Sequence, residues 1–313
     1  MSLSAADLAL RRHHIGASEI AALVGENPFS SPLDIWLKKT GRAEDKPSSQ
    51  SEWGHRIEDL VAEVFAEKHG VTVVKSPTMV NEKYPIAMAT PDRLIVGQAA
   101  CLEAKNVGHR MMHKWRRGSD AWTAPEYVRL QGQFQCLVGG FDRFHVAAFL
   151  GGRDDYDEAF AYDAELAGYL YEIAARFWRD HVIADVQPDP TNSAKDRDYL
   201  ARRYPTTTGN LLSSDEEIDA LARAYNVARA DAKDAKARKD EAQNKLCARI
   251  GDQGGFAAPW GQATWLPKGK GKTAWAKVAT EAGVPEALIA KHTKPPSKTF
   301  NLKFGDDDDD ADE

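Results

Sequence analysis

Apolar positions recur at two different periods along the first half of the chain, and the changes of period mark out its elements. Ile57, Leu60, Val61, Val64 and Phe65 fall at helical spacing and form one stripe in a segment opened by Gly54. Ile86–Thr90 and Leu94–Val96 are short apolar runs, and Cys101-Leu102 begins another. They read as strands of a hairpin with Gly97-Gln98 at the turn. A second helical segment opens at Tyr127 and ends near Gly139-Gly140, and Phe144–Leu150 reads as a further strand. Helix, three strands, helix, strand predicts an α/β core.

The pattern changes after about residue 205. Tyr204-Pro205 through Gly209-Asn210 is rich in turn formers. Ser213-Ser214 and Glu216-Glu217 have capping-box spacing ahead of a long alanine-rich helix, about 214 to 250. Leu221, Tyr225, Ala228, Ala232, Ala235, Leu246 and Ile250 give it a thin apolar stripe, with charge on its other faces. Gly254-Gly255 reads as loop, Ala263–Leu266 and Thr299–Phe304 as short strands, and Ala274–Ala282 as a helical piece. The expected division is 1–205, 206–304 as a helix-and-strand extension, and 305–313 as a disordered acidic tail.

Composition narrows the class. At 42% hydrophobic over 313 residues, the chain can bury a real core. No run of about 18 apolar residues predicts a membrane span, and the amino terminus lacks the charged and apolar regions of a signal peptide. Cys101, Cys136 and Cys247 are widely spaced and form no CxxC pair, so neither zinc nor an iron–sulfur cluster is suggested. The pairs His109/His113 and His13/His14 are too few for a zinc site. Reduced thiols and residence in the cytoplasm are expected. The net charge of −6 misleads, because Asp306–Asp310, Asp312 and Glu313 are seven acids at the end, and removing those seven charges leaves +1. Basic clusters stand in the remaining body: Arg11-Arg12-His13-His14, Lys114-Trp115-Arg116-Arg117, Arg202-Arg203, and Lys268, Lys270 and Lys272. Trp115 among three cations is either a base-stacking ring in a phosphate-binding loop or a packed tryptophan in a solvated one; the position of the segment between Lys105 and Gln131 favours contact of Lys114, Trp115, Arg116 and Arg117 with DNA.

Candidate chemistry lies on the two short strands and the helices beside them. Thr90-Pro91-Asp92 is followed, after a gap of ten residues, by Glu103-Ala104-Lys105. On a strand, Glu103 and Lys105 share a face and Ala104 takes the other. Alone, the two are an ordinary solvent-facing ion pair. With Pro91-Asp92 before them, their order and spacing resemble a PD-(D/E)xK nuclease site. There two carboxylates hold Mg²⁺, a hard cation that takes oxygen ligands, and the lysine sits beside water or phosphate. Glu58 reads either as a helix-surface carboxylate or as a further ligand for metal or water. Gln131 likewise reads either as a surface glutamine or as an amide that orients water or phosphate.

Five segments in order extend the resemblance. Ile15–Gly25, Gly54–Glu58, Ala89–Asp92, Leu102–Lys105, and Pro125–Tyr127 leading to Gln131-Gly132-Gln133 are similar to the lambda-exonuclease/YqaJ viral recombinase family, from about residue 10 to 150 and more weakly beyond. The resemblance implies a PD-(D/E)xK restriction-endonuclease-like core, a mixed sheet flanked by helices. It implies dependence on Mg²⁺, with Mn²⁺ as a substitute, and exonuclease action on duplex DNA ends. It further implies 5′ to 3′ digestion by a homo-oligomer such as a ring trimer, working with a single-strand annealing protein in a phage or prophage recombination system of a bacterial host. Glu58, Asp92, Glu103, Lys105 and Gln131 match its active-site positions, with Asp92, Glu103 and the Ala104 carbonyl on the metal. Ser18, with Arg11 or Arg12, matches the contacts to a terminal 5′ phosphate. Arg93 departs from the family, where glycine is common after Pro-Asp; it is expected either to touch DNA or to tighten the hairpin. A restriction-type or structure-specific endonuclease, or a DNA-binding adaptor without activity, are the other readings. The intact Asp92, Glu103, Lys105 set argues against the adaptor.

Overall fold

The computed structural model describes residues 5–43, 49–117, 121–259, 261–266 and 275–292, and the chain divides into two units, Met1–Pro205 and Thr206–Glu313. The first unit opens with α1 (Ala5–His13), the short strand β1 (Ile15–Gly16), α2 (Ala17–Leu23) and α3 (Pro32–Lys39), then α4 (Ser49–His69). Strands β2 (Val73–Lys75), β3 (Met79–Asn81), β4 (Tyr84–Ala89), β5 (Arg93–Ile95) and β6 (Ala100–Val107) follow. A 3-10 helix (His109–Trp115) and the strand pair β7 (Arg116–Arg117) and β8 (Ala121–Trp122) lead into α5 (Glu126–Gly139). Strands β9 (Arg143–Leu150) and β10 (Asp154–Ala161), α6 (Ala164–Phe177) with a π-helical extension to Ile183, and α7 (Ala194–Arg203) complete the unit.

The expected α/β class is what is observed: a mixed sheet flanked by helices. Its strand order is β10-β9-β6-β5-β2. Only β6 and β9 run parallel, in register from Ala100↔Arg143 to Val107↔Leu150, and α5 lies in the crossover that a parallel pair requires. Alternation along β6 sorts its side chains between two layers. Ala100, Leu102 and Ala104 pack with Ile95, Ala147 and the α4 residues Val61, Ala62 and Phe65. Cys101 and Val107 pack on the opposite face with Phe144, Val146, Leu150 and the α5 residues Val128 and Cys136. Glu103 and Lys105 fall on that second face, toward α5. The helix sits close to the sheet at Gly132, where an added Cβ would lie 2.2 Å from the Phe144 ring. Alanine there overpacks the contact, at a cost of about 1–3 kcal/mol. Gly140, at φ 68°, ends α5 in the left-handed conformation that only glycine adopts readily.

Two expectations change. The runs at Ile86–Thr90 and Leu94–Val96 are not neighbours in one hairpin. Strand β4 pairs with β1 and β3 in a separate sheet, and the chain passes to the large sheet at Thr90–Asp92. The β5–β6 hairpin does form, with Gly97 at φ 78° in its turn. The α4 stripe is also split: Val61 and Phe65 are buried, but Leu60 and Val64 remain 57% and 47% exposed, because the sheet covers less than the whole apolar arc.

In the second unit, α8 spans Glu216–Ile250 and is capped by Asp215, whose carboxylate accepts the Ile218 amide, rather than by Ser213 or Ser214. Strand β11 (Gly255–Ala258) occupies a segment read as loop and pairs with β12 (Gly261–Thr264). Helices α9 (Trp275–Glu281) and α10 (Glu286–His292) follow. The expected strand at Thr299–Phe304, the lysines at 268–272 and the acidic tail lie outside the described residues. Among the described residues, no helix is long and apolar enough to cross a membrane.

Candidate active site

A cavity of about 210 Å³ gathers Glu58 from α4, Asp92 from the bend before β5, Glu103 and Lys105 from β6, and Gln131 and Gln135 from α5. Arg11, Gly16 and Ser18 from the amino-terminal elements line it too. A larger cavity, about 430 Å³, lies where α4 meets β9 and β10, but its walls are mostly apolar. Its one cation, Lys68, is already paired with Asp155 and Asp157. The charged chemistry is in the smaller cavity.

The Pro91-Asp92 bend is pinned from both sides. Asp92 Oδ2 accepts the Ala104 amide at 2.7 Å, which ties the bend to β6. Arg93 donates to the Asp92 carbonyl at 2.7 Å and to Asp59 Oδ1 of α4 at 2.5 Å. Arg93 therefore tightens the local backbone, the second of its two expected roles. Its hydrogen bond holds the Asp59 carboxyl below the usual range, against a small opposing effect of burial.

Glu103 is almost completely buried. Its Oε1 takes hydrogen bonds from Lys105 and from Gln131 Nε2, the latter at 2.5 Å. Its Oε2 accepts from Gln135 Nε2 at 2.6 Å. Burial works to neutralise Lys105, but Glu103, Asp92 and Glu58 outweigh it and raise the ammonium above its ordinary value. Asp92 moves the other way for a carboxylate: burial, then Glu103 and Glu58, push it well up, against Lys105 and the Ala104 amide. Three carboxylates thus crowd one low-dielectric pocket together with Lys105 and Arg11.

A divalent cation relieves the repulsion between neighbouring carboxylates, and an all-oxygen donor set suits Mg²⁺ or Mn²⁺. Among the described residues, no three His, Cys, Asp or Glu side chains close into a ready-made metal cluster. Asp92 and Glu103 as a pair fit the one or two carboxylates, completed by water and substrate phosphate, with which Mg²⁺ is usually held.

At the amino-terminal side, Lys39 is buried and acts as a staple. Its Nζ lies 2.6 Å from Glu19 Oε2 and donates to the Arg11 carbonyl at 2.6 Å. Glu19 in turn accepts the Gly16 amide at 2.8 Å. Arg11 and the Gly16–Ser18 turn are thereby held at the cavity wall. Arg12 is exposed and does not line the cavity, which separates the two arginines that the sequence left as alternatives.

The basic segment after β6 needs a correction. Trp115 is 1% exposed and packs edge-on against Tyr156 at 5.6 Å between ring centres. A ring enclosed in the core cannot stack on a base, so the packed alternative holds. Lys114 and Arg116 are exposed, and the Arg116 guanidinium lies 4.6 Å from the centre of the Trp122 ring. Neither lines the cavity. The Arg117 side chain lies outside the described residues.

Sequence reasoning missed Gln135, Glu19 and Lys39. Gln135 carried a usable signal, because it stands four residues after Gln131 and so shares its helical face. The Glu19–Lys39 contact joins two helices and left no local trace.

Over 266 residues the chain is 26% identical to the uncharacterized protein YqaJ of Bacillus subtilis (strain 168), covering 82% of this chain and 81% of that one. Among solved structures, it is similar to an alkaline exonuclease, LHK-Exo, from Laribacter hongkongensis, with 13% identity and a TM-score of 0.48 over 64% of this chain and 98% of that one. It is also similar to a phage-related exonuclease from Haemophilus somnus 129PT, with 10% identity and a TM-score of 0.41 over 55% and 96% of the two chains. Residues 8–142, the span that carries the residues of the smaller cavity, match the model of the YqaJ-like viral recombinase domain.

Proposed function

We propose that the protein is a Mg²⁺-dependent exonuclease that digests linear double-stranded DNA from the 5′ end and leaves 3′ single-stranded tails. The observation that carries this reading is the convergence of Asp92, Glu103 and Lys105 with Arg11 and Ser18 in one cavity. Hydrolytic groups and ligands for a terminal phosphate in the same pocket favour an end over an internal phosphodiester.

In this reading Asp92 and Glu103, with the Ala104 carbonyl, hold the metal, and Mn²⁺ can replace Mg²⁺. The bound ion supplies Lewis-acid polarisation of the phosphate and a more acidic water. Lys105, already charged, stabilises the negative charge that develops on the attacked phosphate and orients the water. Gln131 holds Glu103 and Glu58 completes the pocket. The Arg11 guanidinium and Ser18 hydroxyl grip the 5′ phosphate through charge-assisted hydrogen bonds. Residues 1–205 form the exonuclease domain, and 206–304 serve DNA contact, assembly or docking. The enzyme acts as a homo-oligomer, a ring trimer in the family pattern, in the cytoplasm of a bacterial host. A single-strand annealing protein of a phage or prophage system takes up the tails.

Digestion of linear duplexes labelled at either the 5′ or the 3′ end, with Mg²⁺ or with EDTA, tests the reading. Early release of the 5′ label, dependent on Mg²⁺, is expected. Early release of the 3′ label, or cleavage of closed circular duplex, contradicts it.

A further inference from the structure

Resting on the nuclease reading above, we propose that Gln135 is a positioning residue for the metal-binding carboxylate Glu103, setting which of its two oxygens is presented to the cation. The two oxygens of Glu103 have different surroundings. Oε1 meets Lys105 and Gln131, both half-buried at the cavity. Oε2 meets Gln135, which is 0% exposed, at 2.6 Å.

The choice of residue type is informative. A buried carboxylate oxygen needs a donor. A lysine or arginine at position 135 would supply one but would also cancel the negative charge that a cation needs. A neutral amide fixes the oxygen and leaves the charge in place. An apolar side chain of the same size would fill the space without the cost of burying an amide, so core packing alone does not call for glutamine.

The orientation of the amide is itself set from behind. Cys101 Sγ donates to Gln135 Oε1 at 3.8 Å. With the oxygen end of the amide engaged by the thiol, its NH₂ end faces Glu103. Cys101, Gln135 and Glu103 thus form a directed chain from the core to the cavity, and a chain of this kind fixes the Glu103 rotamer before a metal arrives.

Gln133 provides an internal control. It lies on the same helix, two residues from both Gln131 and Gln135. It donates to the Ala161 carbonyl at 2.9 Å and accepts the Asp163 amide at 2.8 Å. Its bonds join α5 to the chain leading into α6 and do not reach Glu103.

The test is a calorimetric titration of the full-length, metal-free protein with Mn²⁺, together with its Tm, for wild type, Gln135→Met and Gln133→Met. Loss of a group that orients a metal ligand typically weakens metal affinity about 10–100-fold. Gln135→Met is expected to show a loss in that range, with a matching rise in the Mg²⁺ concentration needed for half-maximal digestion. Gln133→Met is expected to lower Tm while keeping the wild-type Mn²⁺ affinity. If Gln135→Met lowers Tm but binds Mn²⁺ as wild type does, Gln135 is only structural and the inference is overturned. Should Gln135→Met fail to fold, Gln135→Asn, whose amide is one methylene short of Glu103, must show the same loss; unchanged affinity overturns the inference. A wild type that takes up no Mn²⁺ removes both this inference and the nuclease reading. A wild type that binds Mn²⁺ and digests DNA, beside an unaltered Gln135→Met, removes this inference alone.

Discussion

Two clusters of carboxylates and cations hang from the same sheet, and they behave oppositely. On β6, Glu103 sits with Asp92, Glu58 and Lys105 in a cavity closed off by α5. On the edge strand β10, Asp155 and Asp157 sit with Lys68 and His69 of α4. Their compositions are alike, yet Asp92 is pushed well above the usual carboxylate range and Asp157 is held below it. Burial acts on both in the same direction. At Asp92 burial is the largest influence, and Glu103 and Glu58 add to it against Lys105 and the Ala104 amide. At Asp157 burial is lighter, and the hydrogen bonds from Lys68 and His69 outweigh it. A buried cavity in which carboxylates crowd one another is the one with use for a cation. Burial and crowding, more than the presence of acids, separate a candidate site from a sheet-edge ion pair.

The largest expected effect is at the buried β6 cluster. Glu103→Gln should reduce Mg²⁺-dependent digestion to background while leaving DNA binding measurable in a mobility-shift assay. Next comes Lys105→Ala, expected to slow digestion about 10²–10³-fold, the range for loss of one transition-state charge stabiliser. A single-turnover rate on pre-bound duplex measures it. Near wild-type turnover in either variant would break the comparison.

A smaller effect is expected at the phosphate-binding wall. Ser18→Ala or Arg11→Ala should reduce the preference for 5′-phosphorylated over 5′-hydroxyl ends by about tenfold or more, the worth of one charge-assisted hydrogen bond. The same change at Arg12 should leave the preference intact. Competition between the two kinds of end in one reaction reads this out.

The sheet-edge cluster on β10 should give the smallest effect. Asp157→Asn should leave digestion unchanged and cost about 1 kcal/mol or less, because Lys68 and His69 are largely exposed. Its pH dependence has a defined sign. A carboxylate whose folded value is depressed stabilises the fold fully above its unfolded value, near pH 4. That contribution is lost as pH falls through the lower folded value. The stability gap between wild type and Asp157→Asn should therefore narrow below about pH 4 in urea melts.

What could be read from the sequence follows the range over which each signal acts. Glu103 and Lys105 were legible because a strand's period of two puts them on one face. The limits of α5 were legible because a left-handed glycine follows it. The exchange of sheets at Thr90–Asp92 was not, since nothing in Ile86–Ala89 names its partner, and pairing with β1 spans about seventy residues of chain. Trp115 was misjudged by its company: three adjacent cations suggest a wet loop, while the ring itself turns inward onto Tyr156 of β10. Arg93–Asp59 and Lys39–Glu19 join separate elements, so only the assembled structure reveals them. Gln131 was legible through its motif. Gln135 required knowing which face of α5 meets β6.

The most direct test of the central claim is a Mg²⁺ titration of digestion on 5′-phosphorylated linear duplex, run in parallel with wild type, Asp92→Asn and Asp157→Asn. Both changes remove one carboxylate charge at constant size. The account predicts that wild type and Asp157→Asn give superimposable Mg²⁺ curves and that Asp92→Asn stays at background throughout. Digestion by Asp92→Asn at the wild-type level, or equal losses in both variants, would contradict it.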